Sequence, residues 1–217
     1  MKDLYIVGAG GMGREVLNNI LDIHMISGQR WNIKGFLDDT PDPLAGRECG
    51  YPVAGTIADY FPRPNEVLAM GVADPAAKKK LASLLKGRGA VFESIVHPHI
   101  NGGRHNMVGE GLVVYPGFGM SVNSRLGDFC TLLSCSIGHD VSIGDFCTIS
   151  TCCNIMGNVT MGPGVFMGGN AAIAPHVTVG EGAYICLGSM IMKDVKPGDK
   201  VMGNPARAIG RADVPRP

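Results

Sequence analysis

Through most of the C-terminal half, an aliphatic residue or methionine recurs at every sixth position. The series runs Val108, Val114, Met120, Leu126 and then, after one missing step, from Ile137 through Ile143, Ile149, Ile155, Met161, Met167, Ile173, Val179 and Ile185 to Ile191. Glycine often follows at once, as at Gly109, Gly127, Gly138, Gly144, Gly162 and Gly180, and a small or β-branched residue often stands four places on, as at Cys130, Val141, Cys147 and Val159. A period of six matches neither the 3.6 of an amphipathic helix nor the alternation of a long strand; it is the signature of a parallel β-helix. Each hexad predicts one short strand and a turn, with the aliphatic side chain pointing into a prism. Three hexads predict one coil, so residues eighteen apart stack. The stretch from Leu132 to Ser136 is one residue short of a hexad.

The first hundred residues follow another rule. An apolar run, Asp3-Leu4-Tyr5-Ile6-Val7, leads into Gly8-Ala9-Gly10-Gly11-Met12-Gly13, and a helix is expected from near Arg14. Strands are predicted at Ile33–Leu37, which ends in Asp38-Asp39, at Glu66–Val72 and at Ala90–Val96. A Pro/Gly-rich loop runs to Pro52 and a second helix from Pro75 to about Lys86. Strands alternating with helices predict a small parallel α/β sheet. The expected division is therefore a Rossmann-like domain over 1–100 and a β-helix with a short tail over 101–217. A strand, glycine loop and helix in this order let backbone approach a phosphate at the helix N-terminus, and Asp38 or Asp39 is placed to accept hydrogen bonds from a ribose or base.

The 217 residues carry no net charge and no basic tract, which argues against nucleic acid as a partner. No run of eighteen apolar residues occurs, so neither a membrane span nor a signal peptide is expected. Six of the seven cysteines lie inside the repeat without ligand spacing, which reads as reduced, structural thiols in a cytoplasmic protein and as no metal site.

One segment of the repeat, Ser136-Ile137-Gly138-His139-Asp140-Val141, carries chemistry. His139 takes the third place of its hexad, away from the interior. An imidazole is the natural general base near neutral pH, and the adjacent Asp140 is available to set its tautomer. Gly157, eighteen residues on, falls at the same corner one coil along, where its N–H suits an oxyanion.

With these residues in view, the whole chain resembles the bacterial nucleotide-sugar acyltransferases of the left-handed β-helix superfamily, the NeuD-like and PglD-like group. The resemblance rests on Ile6-Val7-Gly8-Ala9-Gly10-Gly11, Gly35-Phe36-Leu37-Asp38-Asp39, Val96-His97-Pro98, Ile137-Gly138-His139-Asp140, Gly157-Asn158-Val159, the later hexads and Gly203-Asn204-Pro205-Ala206-Arg207. It implies an acetyl-CoA-dependent N-acetyltransferase acting on a nucleotide-linked amino sugar, probed first as a UDP-4-amino-4,6-dideoxy sugar, in a homotrimer with sites between subunits. On that resemblance His139 is the base, Asp140 orients it and the Gly157 amide holds the oxyanion. The nucleotide sugar falls to Gly8, Gly10, Gly11, Met12, Gly13, Arg14, Asp38, Asp39 and Gly71. Coenzyme A falls to Gly168, Gly169, Ala172, Ala174, Cys186, Gly188, Asn204, Pro205 and Arg207, and to Thr148, which stands where some relatives have a second histidine. The chain also departs from relatives at Met12 and Arg14.

Three other readings stand beside it: an O-acetyltransferase for sialic acid or another sugar hydroxyl, a non-enzymatic scaffold, and an NAD-dependent dehydrogenase, for which the first domain is short. His176 reads as a solvated turn filler, His97 and His99 as residues of the domain junction, Lys78-Lys79-Lys80 as the solvent face of a helix, Arg104-His105-Asn106 as a linker, and Arg211 to Pro217 as a loose tail.

Overall fold

The computed structural model describes residues 1–47 and 49–212. It begins with a parallel four-stranded sheet: β1 (Lys2–Val7), β2 (Trp31–Leu37), β3 (Val53–Gly55) and β4 (Glu66–Met70), in the order β3-β2-β1-β4. Two helices cover it, α1 (Gly11–Ser27) and α2 (Pro75–Gly87). α1 begins three residues before the expected Arg14, directly on the glycine loop. β3 lies just beyond the stretch read as loop and pairs with the end of β2. The central strands are apolar on both faces, with Leu4, Ile6 and Val7 all at 0% exposure, as a parallel sheet packed between layers requires.

The rest of the chain winds into a parallel, left-handed β-helix of about six turns, built mostly of two-residue strands. Three faces repeat. The first carries Ile95–Val96, Val113–Val114, Thr131–Leu132, Thr148–Ile149, Phe166–Met167 and Tyr184–Ile185. It closes with Asp199–Gly203 and the antiparallel Ala206–Arg211. The second carries Asn101–Gly102, Gly119–Met120, Ser136–Ile137, Asn154–Ile155, Ala172–Ile173 and Met190–Ile191, and the third Met107–Val108, Arg125–Leu126, Ser142–Ile143, Thr160–Met161 and Thr178–Val179. The first paired strand of the solenoid, Ile95–Val96, thus lies within the segment read as the last strand of the α/β sheet.

The inward residues are those of the six-residue series. Ile149, Met167, Ile173, Val179 and Ile185 are fully buried, each stabilising the fold by about 1.5–3 kcal/mol. Leu132 is also at 0% and fills the missing step of the series, so the chain loses one residue but no inward position. Val108 departs from the pattern: it is 58% exposed, because its strand ends the third face and no coil lies above it.

The lost residue falls at the corner between the first and second faces, where Ser134 turns the chain with φ 37°. Ser136 still pairs in register with Gly119 and Asn154. The irregularity is therefore absorbed a full prism face away from His139. Arg211 closes the last strand, and residues 213–217 of the expected tail lie outside those described.

Candidate active site

His139 stands at the corner between the second and third faces. The left-handed turns needed there are made by Asp140 (φ 56°) and, one coil on, Asn158 (φ 62°). The corner is tied from both sides: the Asp140 N–H donates to Val122 O at 3.0 Å and the Asn158 N–H to His139 O at 3.0 Å. His139 Nδ1 lies 2.7 Å from Asp140 Oδ2. With Nδ1–H donated to that carboxylate, the Nε2 lone pair is left free to take a proton. Gly157 lies beneath the ring. A Cβ there would come within 2.6 Å of His139 Cε1 and Nε2, so glycine is what lets the imidazole settle over the backbone. Among the described residues the Gly157 N–H has no acceptor. The His139 and Asp140 side chains are 56% and 48% exposed, so the pair stands on an open ridge.

The glycine loop is built differently. A Cβ on Gly13 would lie 1.9 Å from Gly8 O, and one on Gly71 would lie 2.9 Å from Gly13 Cα; Gly8 itself has φ 94°. These three glycines serve the close approach of β1, α1 and β4. Gly10 and Gly11 face open space, and α1 starts with no side-chain cap, which leaves first-turn amides free for an anion. Arg14 is half-buried and bonds back to Gly10 O. Met12 turns toward the solenoid, where the Tyr115 hydroxyl donates to its sulfur at 3.4 Å.

The two aspartates also separate. Asp38 accepts from Ala9 N–H at 2.7 Å and from Thr40 N–H at 2.8 Å, tying the glycine loop to the end of β2. Asp39 accepts from Ala58 N–H through Oδ1 alone. Both line a cleft of about 540 Å³ with Thr40, Asp42, Leu44 and Thr56.

The residues expected along coenzyme A are spread over several places. Gly168, Gly169, Cys186 and Gly188 lie at the first–second corner, and Ala172 is half-buried on the second face. Ala174 lies on the corner of His139, one coil beyond Met156. Asn204 and Pro205 form the exposed tip between the last two strands, and Arg207 follows on the edge strand. Thr148 is a correction. It is 1% exposed on the first face, donates to Ala73 O at 2.6 Å and accepts from Lys78 Nζ at 2.9 Å, so it faces the N-terminal domain and is closed to a cofactor.

Lys78 is the matching correction. Lys79 and Lys80 are exposed, but Lys78 is at 0% and also donates to Thr131 Oγ1 and Cys147 O. Burial pulls its ammonium down to about 8, against the opposing pull of Cys130, Cys147 and Asp74. The sequence held a signal for it: Lys78, Ala82 and Leu85 fall at i, i+4 and i+7, the buried stripe of α2. His97, only 3% exposed, accepts from the His99 N–H through Nδ1, and burial lowers its pKa. Among the described residues no group of three or more His, Cys, Asp or Glu side chains is arranged to hold a metal ion.

A small α/β domain riding on a hexapeptide prism, with a His-Asp pair at one corner, defines the class of architecture. Residues 3–85 match the profile of the PglD N-terminal domain. The solved acetyltransferase domain of PglB from Neisseria gonorrhoeae FA1090, in complex with acetyl coenzyme A, is 25% identical. It superposes with a TM-score of 0.86 over 96% of this chain and 99% of its own. PerB from Caulobacter crescentus, solved with CoA and GDP-perosamine, shares the fold at 22% identity, with a TM-score of 0.84 over 97% and 98% of the two chains. A putative acetyltransferase of Staphylococcus aureus (strain MRSA252) is 37% identical over 57 residues, 26% of this chain. A UDP-3-O-acylglucosamine N-acyltransferase of Caulobacter sp. (strain K31) is 36% identical over 75 residues, 35% of this chain and 22% of its own. The chain spans 29% of the length of the S. aureus relative.

Proposed function

We propose that the protein is an acetyl-CoA-dependent N-acetyltransferase for a nucleotide-linked 4-amino-4,6-dideoxy sugar. The observation that carries this reading is the His139–Asp140 pair laid over Gly157, whose amide is free. The sugar nitrogen attacks the thioester carbon, a C–N bond forms and the C–S bond breaks. His139 Nε2 takes the amine proton and returns it to the departing thiolate, while the Gly157 N–H stabilises the oxyanion of the tetrahedral intermediate. A sugar amine is mostly protonated at neutral pH, so the site must take up its neutral form first. The acyl group passes directly. Burial pushes the Cys153 thiol up to about 11 and Cys135 higher still, which makes both poor nucleophiles.

The nucleotide diphosphate takes the amides of Gly10 and Gly11, and Asp39 offers its free oxygen in the adjoining cleft. Uridine is the first choice of base; the complex of PerB with GDP-perosamine makes guanosine the second. Coenzyme A runs along the later coils past Ala172 and Ala174 toward Asn204, Pro205 and Arg207. The working unit is a homotrimer in the cytoplasm.

The test is product mass spectrometry after incubation with acetyl-CoA and a panel of uridine- and guanosine-linked sugars, in wild type and His139→Ala. An amine-dependent acetyl mass gain that the variant lacks supports the reading. A gain on hydroxyl acceptors alone replaces it with O-acetylation, and inert behaviour toward every acceptor rejects both.

A further inference from the structure

The coil that bears His139 is the irregular one. Thr131 pairs with Thr148 seventeen residues on, whereas Val113 with Thr131 and Thr148 with Phe166 are each eighteen apart. The missing residue leaves Ser134 to make the corner with φ 37°. Both ends of this coil meet at one atom. Lys78 Nζ donates to Thr131 Oγ1 at 3.0 Å, to Thr148 Oγ1 at 2.9 Å and to Cys147 O at 3.1 Å.

The same contact reaches the glycine loop. Thr148 Oγ1–H donates to Ala73 O, and Ala73 lies two residues after Gly71, whose backbone packs against Gly8 and Gly13. Among the described residues Lys78 donates to no carboxylate. The groups around it are the Cys130 and Cys147 thiols and, from its own helix, Asp74, whose Oδ1 is engaged by Ala77 N–H. A buried cation without an ion-pair partner is an expensive way to fill space, and a methionine of similar length would fill it without that penalty. What the ammonium adds is three directed bonds.

We propose that Lys78 is a positioning residue for acyl transfer: its ammonium staples both ends of the short coil that carries His139 and fastens that coil to the loop behind the glycine turn. The proposal rests on the acyltransferase reading for its catalytic consequence and on the hydrogen bonds alone for the staple. A displacement of about 1 Å at a reacting group is enough to cost on the order of 100-fold in rate.

The test compares Lys78→Met, Thr148→Val and the double variant in the full chain. Thr148→Val keeps the β-branched shape in its strand and serves if Lys78→Met fails to fold. Three quantities are measured: kcat and KM with acetyl-CoA and a nucleotide-linked 4-amino sugar, the affinity for UDP and GDP alone, and amide exchange over residues 131–148. The expected result is a kcat lower by about 10- to 100-fold, with KM and nucleotide affinity within about twofold, and faster exchange in that coil. The double variant should be little worse than the poorer single one, because both remove the same contact. Folded variants with wild-type kcat and wild-type exchange would overturn the proposal, as would a rate loss explained wholly by a smaller folded fraction. If the wild type transfers acetyl to no acceptor, the acyltransferase reading and the catalytic role fail together. Exchange then decides the staple by itself: acceleration supports it and unchanged protection rejects it.

Discussion

A single missing methyl group governs the candidate site. Gly157 lets the His139 ring lie against the backbone, so Gly157→Ala should drive the imidazole off its place with little effect on the fold. Steady-state kinetics should show a kcat reduced on the order of 100-fold beside near-normal melting. His139→Ala should lose about 100- to 10,000-fold, the range of a general base, and an unchanged rate in either variant would remove the corner from the chemistry. The glycine loop divides in the same way. Gly13→Ala puts its Cβ 1.9 Å from Gly8 O and should abolish stable folding, whereas Gly11→Ala meets nothing and should melt as wild type does. Loss of nucleotide affinity in Gly11→Ala, read by titration calorimetry, would then report the added methyl group blocking a phosphate from the loop, since every amide is kept. The His139–Asp140 pair was legible in the sequence because both partners are adjacent and the hexad says which way they point. The separate duties of Asp38 and Asp39 were not, because they depend on Ala9, Thr40 and Ala58 coming together only in the fold.

At the scale of elements, the solenoid strands were readable one by one because each is two residues long and its partner lies a fixed distance along the chain. Interdomain packing has no such period, and there the reading missed Lys78 and Thr148: three consecutive lysines look solvated until the face of α2 is known. Burial of Lys78 has a thermodynamic signature. Its pKa falls from 10.5 to about 8 on folding, so below pH 8 both states hold the proton and its desolvation cost is felt in full. Between about pH 8 and 10.5 the unfolded chain binds the proton that the native state has released, and stability rises with pH by up to about 3 kcal/mol. Denaturant melts at stepped pH should show this alkaline gain in wild type relative to Lys78→Met. Parallel pH curves for the two would mean that the ammonium is solvated. Val108 marks the other limit of pattern reading, since a terminal coil has an inward position but no neighbour to bury it.

For the whole molecule, the open ridge around His139 poses a problem that one chain does not solve. Transfer to an amine needs the thioester shielded from water and both reactants held still, yet the His139 and Asp140 side chains are about half exposed. The apolar side chains nearest this corner are exposed as well: Val122 at 39%, Met156 at 45% and, two coils beyond Met156, at Met192 57%. Together they form a strip along the edge where a second prism would lie, and flat solenoid faces favour closed cyclic packing. For the homotrimer proposed above, light scattering should give about three times the chain mass of 22.8 kDa. Met192→Glu places a charge on the strip away from the His-Asp pair and should yield a folded single chain with little transfer activity. Because assembly follows mass action, wild-type specific activity should also fall on dilution, while raising acetyl-CoA should not restore it. A wild type that is monomeric and keeps full specific activity at the lowest measurable concentration would show that one prism suffices.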